Sequence, residues 1–381
     1  MLRDRARPAK RSTCSVVAAR TTVRAAITSS RAATVVTATW EGDPMATELD
    51  REWVRSLPKT ELHVHLIGAT SPQTVVELAR RHPQTRVPTD LDELQRFYTF
   101  RDFDSFVEVY QAVSGLVTAG DDVTVLIDGL ARDFAEQGVR YAEVTVTAAT
   151  QLADGIEPDE LAEAMENGRR AASARGVEIA WVIDVHGGLG PRVGDVTIDW
   201  LTGFAPPRTI GFGLGGPEKG VPRSIFAPHF AAARELGLRS LPHAGETTGP
   251  ESVWSALRDL SAERIGHGIA SAADDELMAY LADERITLEV CPTSNVCTGA
   301  VTDLDHHPLR RLMDADVPIT LSTDDPGMFG TDLVNEYVVA QRIADLTNDE
   351  IISLVRHGID ASYCDEQTRK SLQDELQEIA S

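Results

Sequence analysis

Eight apolar runs of strand length recur along this chain, and stretches with helical spacing separate them. The runs occupy residues 61–66, 139–146, 177–185, 209–214, 238–243, 264–268, 287–290 and 317–321. Helical pattern fills the gaps between them, as at 161–175, 226–236, 274–282 and 309–315. A short continuous apolar run suits a strand buried on both faces. Strand then helix, repeated eight times, predicts a parallel (β/α)8 TIM barrel. An open doubly wound sheet is the structural alternative. It calls for Gly-x-Gly-x-x-Gly after an early strand, and Gly211-Phe212-Gly213-Leu214-Gly215-Gly216 lacks the third glycine at the required place. The longest gap, between the first and second runs, predicts a helical insertion that shapes or covers the site. It carries Phe100, Phe103 and Phe106, of which at least two are expected to pack the insertion onto the barrel.

Composition narrows the function classes. The net charge of −23 excludes a nucleic-acid backbone as partner, because phosphate binding needs basic surface. No run approaches 18 uninterrupted apolar residues, so no membrane span is expected. The four cysteines, Cys14, Cys291, Cys297 and Cys364, are too few and scattered for a disulfide framework, which makes a reducing cytoplasm the expected location. Residues 1–44 differ from the rest, with eight Lys and Arg against three acids. Their composition resembles a transit peptide. A start of translation at Met45 or a disordered tail is the preferred reading. The expected division is a disordered basic extension over 1–49 and a metal-dependent barrel over 50–381.

The chemistry is written at the ends of the runs. Side chains in a strand alternate faces, so His63 and His65 aim at one point while Leu62, Val64 and Leu66 point away. Two converging imidazoles are half of a metal site. Polar residues at the C-terminal ends of barrel strands read as catalytic. The other ends supply Gly215-Gly216-Pro217-Glu218, His243-Ala244-Gly245-Glu246, Gly266-His267-Gly268 and Ser322-Thr323-Asp324-Asp325. His63, His65, His243 and Asp324 together offer three nitrogens and one oxygen, a donor set that suits Zn²⁺, with iron or cobalt able to take the same geometry. Glu246, three residues after His243, can face the same cavity as a general acid. His267 and Asp325 stand around it without a metal.

These motifs resemble those of the adenosine deaminase family within the amidohydrolase superfamily. The matching pieces are His-Val-His-Leu at 63–66, Gly-Gly-Pro-Glu at 215–218, His-Ala-Gly-Glu at 243–246, Arg-Ile-Gly-His-Gly at 264–268, Cys-Pro-Thr-Ser-Asn at 291–295 and Ser-Thr-Asp-Asp-Pro at 322–326. The resemblance implies one zinc per chain on His63, His65, His243 and Asp324. It implies a small-molecule adenine nucleoside as substrate, with His65 also in the substrate site. Glu246 would protonate purine N1, His267 would orient the attacking hydroxide, Asp325 would bond N7, and the Gly216 N–H would bond N3. The lysines Lys10, Lys59, Lys219 and Lys370 fall outside the expected strands, which favours one metal over two.

Two departures bear on the substrate. The family usually carries an acid two positions after the second histidine, where it contacts the ribose 5′-hydroxyl. Here Ile67 stands in its place. An apolar side chain would leave that hydroxyl buried and unpaired, at roughly 1–3 kcal/mol. Thr145 follows Glu143-Val144, where the family often has arginine. Both changes suggest a reworked substrate pocket, and relatives with such changes include deaminases of 5′-modified adenosines, notably aminodeoxyfutalosine of menaquinone synthesis, so the resemblance implies a substrate of that kind. Its benzoate would want an arginine, and Arg101, Arg192 and Arg223 are the loop candidates. An ordinary adenosine deaminase and a catalytically inactive zinc protein are the alternatives. The intact Glu246 and the full ligand set count against the second.

Overall fold

A computed structural model describes residues 50–100 and 103–380, with no account of the side chains of Phe103 and Asp104. The basic segment 1–49 and Arg101 lie outside the described residues. Eight parallel strands pair in chain order: β1 Lys59–His65, β2 Val139–Val146, β3 Glu178–His186, β4 Thr209–Gly215, β5 Arg239–Ala244, β6 Arg264–His267, β7 Thr287–Val290 and β8 Ile319–Leu321. Each lies within about two residues of its apolar run. The ring closes beyond the end of β8. There Asp324 bridges to Val64. Its N–H donates to the His63 carbonyl and its own carbonyl accepts from the His65 N–H, both at 2.9 Å.

Proline sets where helices begin. Pro72, Pro158, Pro191, Pro250, Pro292 and Pro326 each open a helix. Its fixed φ suits the first turn, where its missing N–H would have had no partner. Between β1 and β2 the chain forms helices Pro72–Arg81, Leu91–Phe97, Phe103–Ser114 and Gly120–Glu136. Phe100 meets Phe106 edge-on at 5.4 Å, and both reach Phe329 beyond β8. Phe106 also lines the main cavity. No helix among the described residues is long and apolar enough to cross a membrane.

One expectation is corrected. Lys59 is not outside the strands but opens β1. Its ammonium donates to the carbonyls of Val54 (2.6 Å), Leu57 (2.9 Å) and Arg55 (3.3 Å). Burial, with Arg140 and Arg55 nearby, lowers its pKa to about 7. It sits at the N-terminal end of the barrel, so the site at the opposite end does not receive it.

Candidate active site

The closure of the ring assembles the donors. β1 contributes His63 and His65, β5 contributes His243, and the β8–β1 bridge brings Asp324 beside them. One ligand atom from each lies within 4.8 Å of the other three. His65 Nε2 is 3.1 Å from His243 Nε2 and 3.3 Å from Asp324 Oδ1, and His63 Nε2 is 3.6 Å from the same oxygen. His63 Nε2 is buried with no hydrogen-bond partner. Buried polar atoms are rarely left so. An orphaned nitrogen at the centre of a His3Asp donor set fits a divalent cation.

A carboxylate behind His63 fixes its tautomer. Glu289 Oε2 lies 2.9 Å from His63 Nδ1, so that nitrogen carries the proton and Nε2 is free to bind. Burial works against charging this ring, but Asp324 and Glu289 outweigh it and raise its pKa to about 10, so a cation that binds Nε2 displaces the second proton of the ring. Glu289 is itself held by Arg264 Nε at 2.6 Å, and Arg264 continues to Glu143. The polar layer beneath the donors is therefore a paired chain rather than isolated buried charge.

The remaining polar groups surround this centre. Thr298 Oγ1 donates to Glu246 Oε1 at 2.8 Å. The loop carrying Glu246 is clamped by Glu218, whose carboxylate accepts from the N–H groups of Gly245, Glu246, Thr247 and Thr248 at 2.6–3.1 Å. Burial and then the Asp324 carboxylate push the Glu246 carboxyl up to about 8. His267 Nδ1 lies 3.1 Å from Asn295 Nδ2, and Asn295 Oδ1 lies 3.1 Å from His307 Nε2. With the amide donating to Nδ1, the ring's proton sits on Nε2. That nitrogen is 3.8 Å from Glu246 and 3.9 Å from Asp324. Burial lowers the His267 pKa to about 4 and keeps the ring neutral. His267 and Asp324 both hold positive φ, at 59° and 64°. Non-glycine residues rarely adopt that region, and such strain clusters at functional sites.

Asp325 is also buried, and burial together with Asp324 raises its pKa well above the carboxylate range. A Cβ on Gly68 would stand 1.7 Å from its Oδ1. Gly68→Ala is therefore expected to displace Asp325 and cut kcat/KM at least tenfold while leaving the fold intact, to be checked by steady-state kinetics beside a thermal melt.

The donors open into a cavity of about 260 Å³. His65, His243, Glu246, His267, Asp324, Asp325 and Gly216 all line it. Ile67 does not. It lines a smaller chamber of about 20 Å³, bounded also by Leu66, Val117, Leu126, Thr145 and Gln151. The two chambers share Tyr110, Ser114, Thr147 and Thr150. Neither loop arginine in the described residues lines the cavity. Arg192 is exposed. Arg223 is buried and donates to the carbonyls of Pro217, Val221 and His243. Sequence reasoning assigned no role to Glu289, Ser294, Asn295 or Thr298. Three of these fall in or just after Cys-Pro-Thr-Ser-Asn, and Ser294 Oγ donates to Asp324 Oδ2 at 2.6 Å.

Residues 58–379 match the adenosine deaminase family. An aminodeoxyfutalosine deaminase of Streptomyces avermitilis is 48% identical over 316 residues, covering 82% of this chain and 88% of the relative. The crystal structure of adenine deaminase from Arthrobacter aurescens superposes with a TM-score of 0.81 at 28% identity, covering 85% of this chain and 99% of that one. A zinc-bound amidohydrolase from Burkholderia ambifaria gives a TM-score of 0.79 at 25% identity, covering 91% and 97%.

Proposed function

The chain belongs to the adenosine deaminase family and is a hydrolytic deaminase, and from that premise we propose that it is a zinc enzyme acting on a 5′-modified adenine nucleoside, aminodeoxyfutalosine or a close analogue. The observation that carries the substrate is Ile67. Ile67 stands at the sequence position where the family usually carries the acid that reads a 5′-hydroxyl, and its side chain faces a small chamber that shares Tyr110, Ser114, Thr147 and Thr150 with the main cavity. The similarity to an aminodeoxyfutalosine deaminase supports the same reading; a place in menaquinone synthesis and a cytoplasmic location are part of the proposal.

One zinc per chain would be held by His63, His65, His243 and Asp324, supplying Lewis-acid activation of the attacking water. The chain's own groups do the rest. Glu246 keeps its proton at neutral pH and delivers it to purine N1 as C6 is attacked, which draws electron density away from C6. His267 donates from Nε2 to the attacking oxygen and holds it on one face of the ring. Asp325, whose burial beside Asp324 favours the protonated form, would donate to N7, an acceptor that an ionised carboxylate would repel. The Gly216 N–H would meet N3. Of the two protons of the attacking water, one restores Glu246 and the other passes to the amino group; the C6–N bond then breaks, ammonia leaves, and the base becomes hypoxanthine with its proton on N1.

A panel of adenine, adenosine, methylthioadenosine and aminodeoxyfutalosine, followed by the ultraviolet change on deamination, tests this reading. The 5′-modified nucleosides are expected to win in kcat/KM. Ile67→Asp should shift the ratio toward adenosine by at least about tenfold, a change that needs only about 1.4 kcal/mol. The new carboxylate regains the hydroxyl and opposes an apolar or anionic substituent. If wild type already favours adenosine and the substitution leaves the ratio unchanged, Ile67 does not set specificity.

A further inference from the structure

β4 is unusual in what it lacks. Gly211, Gly213 and Gly215 alternate along it, so beyond Thr209 one face of the strand carries no side chain. A Cβ on Gly213 would stand 3.0 Å from Asp184 Cβ, and one on Gly215 would stand 3.0 Å from Asp184 Oδ2. The bare face makes room for Asp184, which projects from β3 into the main cavity. Asp184 is only 2% exposed. Its Oδ1 accepts from Thr147 Oγ1 at 2.6 Å, and among the described residues no hydrogen bond reaches Oδ2. A buried carboxylate with one donor is costly unless something else completes its shell.

His186, two residues on, lines the same wall. A Cβ on Gly216 would stand 2.9 Å from its Nε2. Burial keeps the ring neutral, and Nδ1 meets no polar group beyond its own main chain. The β3 wall thus offers unsatisfied polar atoms to whatever enters the cavity. The mechanism uses none of them.

We propose that Asp184, held by Thr147 and flanked by His186, reads the sugar hydroxyls of the substrate and so makes this enzyme a deaminase of nucleosides rather than of free adenine. The inference rests on the hydrolytic deamination and purine placement argued above. In that placement N3 lies at β4, N7 at the end of β8, and N1 and C6 face Glu246 and His267 on the β5–β6 side. N9 points the other way round the ring, toward β1, β2 and β3. A group attached at N9 meets Thr147, Asp184 and His186. A sugar supplies hydroxyl donors, and a carboxylate is a common reader of ribose hydroxyls. A site built to bond a hydroxyl discriminates strongly against analogues without it.

The test compares wild type, Asp184→Ala and Thr147→Val on adenine, adenosine, 2′-deoxyadenosine, 3′-deoxyadenosine and 5′-deoxyadenosine, with metal content measured on every preparation. Wild type is expected to favour adenosine over adenine. Asp184→Ala should lower kcat/KM for adenosine at least tenfold more than for adenine, chiefly through KM, with zinc retained. It should also lose most of the preference for adenosine over one of the deoxy analogues, which identifies the hydroxyl read. Thr147→Val should move the same ratios less far. A wild type that prefers adenine overturns the inference, as does an equal fall for every substrate or a loss of metal in Asp184→Ala. A wild type that deaminates no adenine compound overturns the deamination reading itself.

Discussion

Glu246→Gln is expected to keep its metal and lose turnover, with kcat down about 10²–10⁴-fold. Glutamine preserves the shape of the side chain and an oxygen for Thr298 Oγ1 to meet. The Glu218 clamp on the loop acts through main-chain N–H groups, so it survives the change. What is lost is one transferable proton. Burial and Asp324 hold that proton up to about pH 8. The acid form is the active one, so wild-type activity should fall as pH rises through that pKa. A bound cation favours the ionised form and places the fall at or below about 8. The residual activity of the variant should lack this limb. Elemental analysis and a pH series of kcat/KM check the claim. A variant retaining most of its kcat would remove Glu246 from the role of acid.

Much of this site was legible because local rules carried it. His63 and His65 show their common direction through the period of a strand. The glutamate after His243 and the aspartate pair after β8 stand at strand ends, where a barrel places its chemistry. Glu289 and Arg264 were harder. Each sits inside or at the start of an apolar run, and the interior of a barrel can hold a paired polar layer without changing that pattern. Nothing in one dimension says that Glu289 faces His63, which is 226 residues away. The apolar run begins at Glu61, which leaves Lys59 outside the strand when only the sequence is read. A lysine satisfied by three carbonyls looks like any other lysine until the chain folds around it. Arg223 misled for the same reason, since its guanidinium is spent on the main-chain carbonyls of Pro217, Val221 and His243. Asp184 and His186 close a strand whose neighbour is bare, and only the pairing of β3 with β4 reveals the space they occupy.

His63→Ala is expected to lose metal and activity together, leaving a folded protein. His63 is the donor with the strongest support. Its Nε2 has no hydrogen-bond partner, and its Nδ1 is fixed by Glu289, which Arg264 fixes in turn. Truncation removes one of four ligands and also leaves Glu289 without one of its two hydrogen-bond partners, His63 and Arg264. Both effects weaken the site. Glu289→Gln separates them. It keeps all four ligands and an oxygen to meet His63 Nδ1, but it removes the charge that raises the basicity of the ring. Such outer partners typically contribute about 10–100-fold in metal affinity. The expected order of affinity is therefore wild type, then Glu289→Gln, then His63→Ala with no metal retained through dialysis. Wild type should carry one zinc per chain by elemental analysis. Two metals per chain, or none in active enzyme, would contradict the single-ion site, and a His63→Ala protein that keeps a full equivalent of zinc would take His63 out of the ligand set.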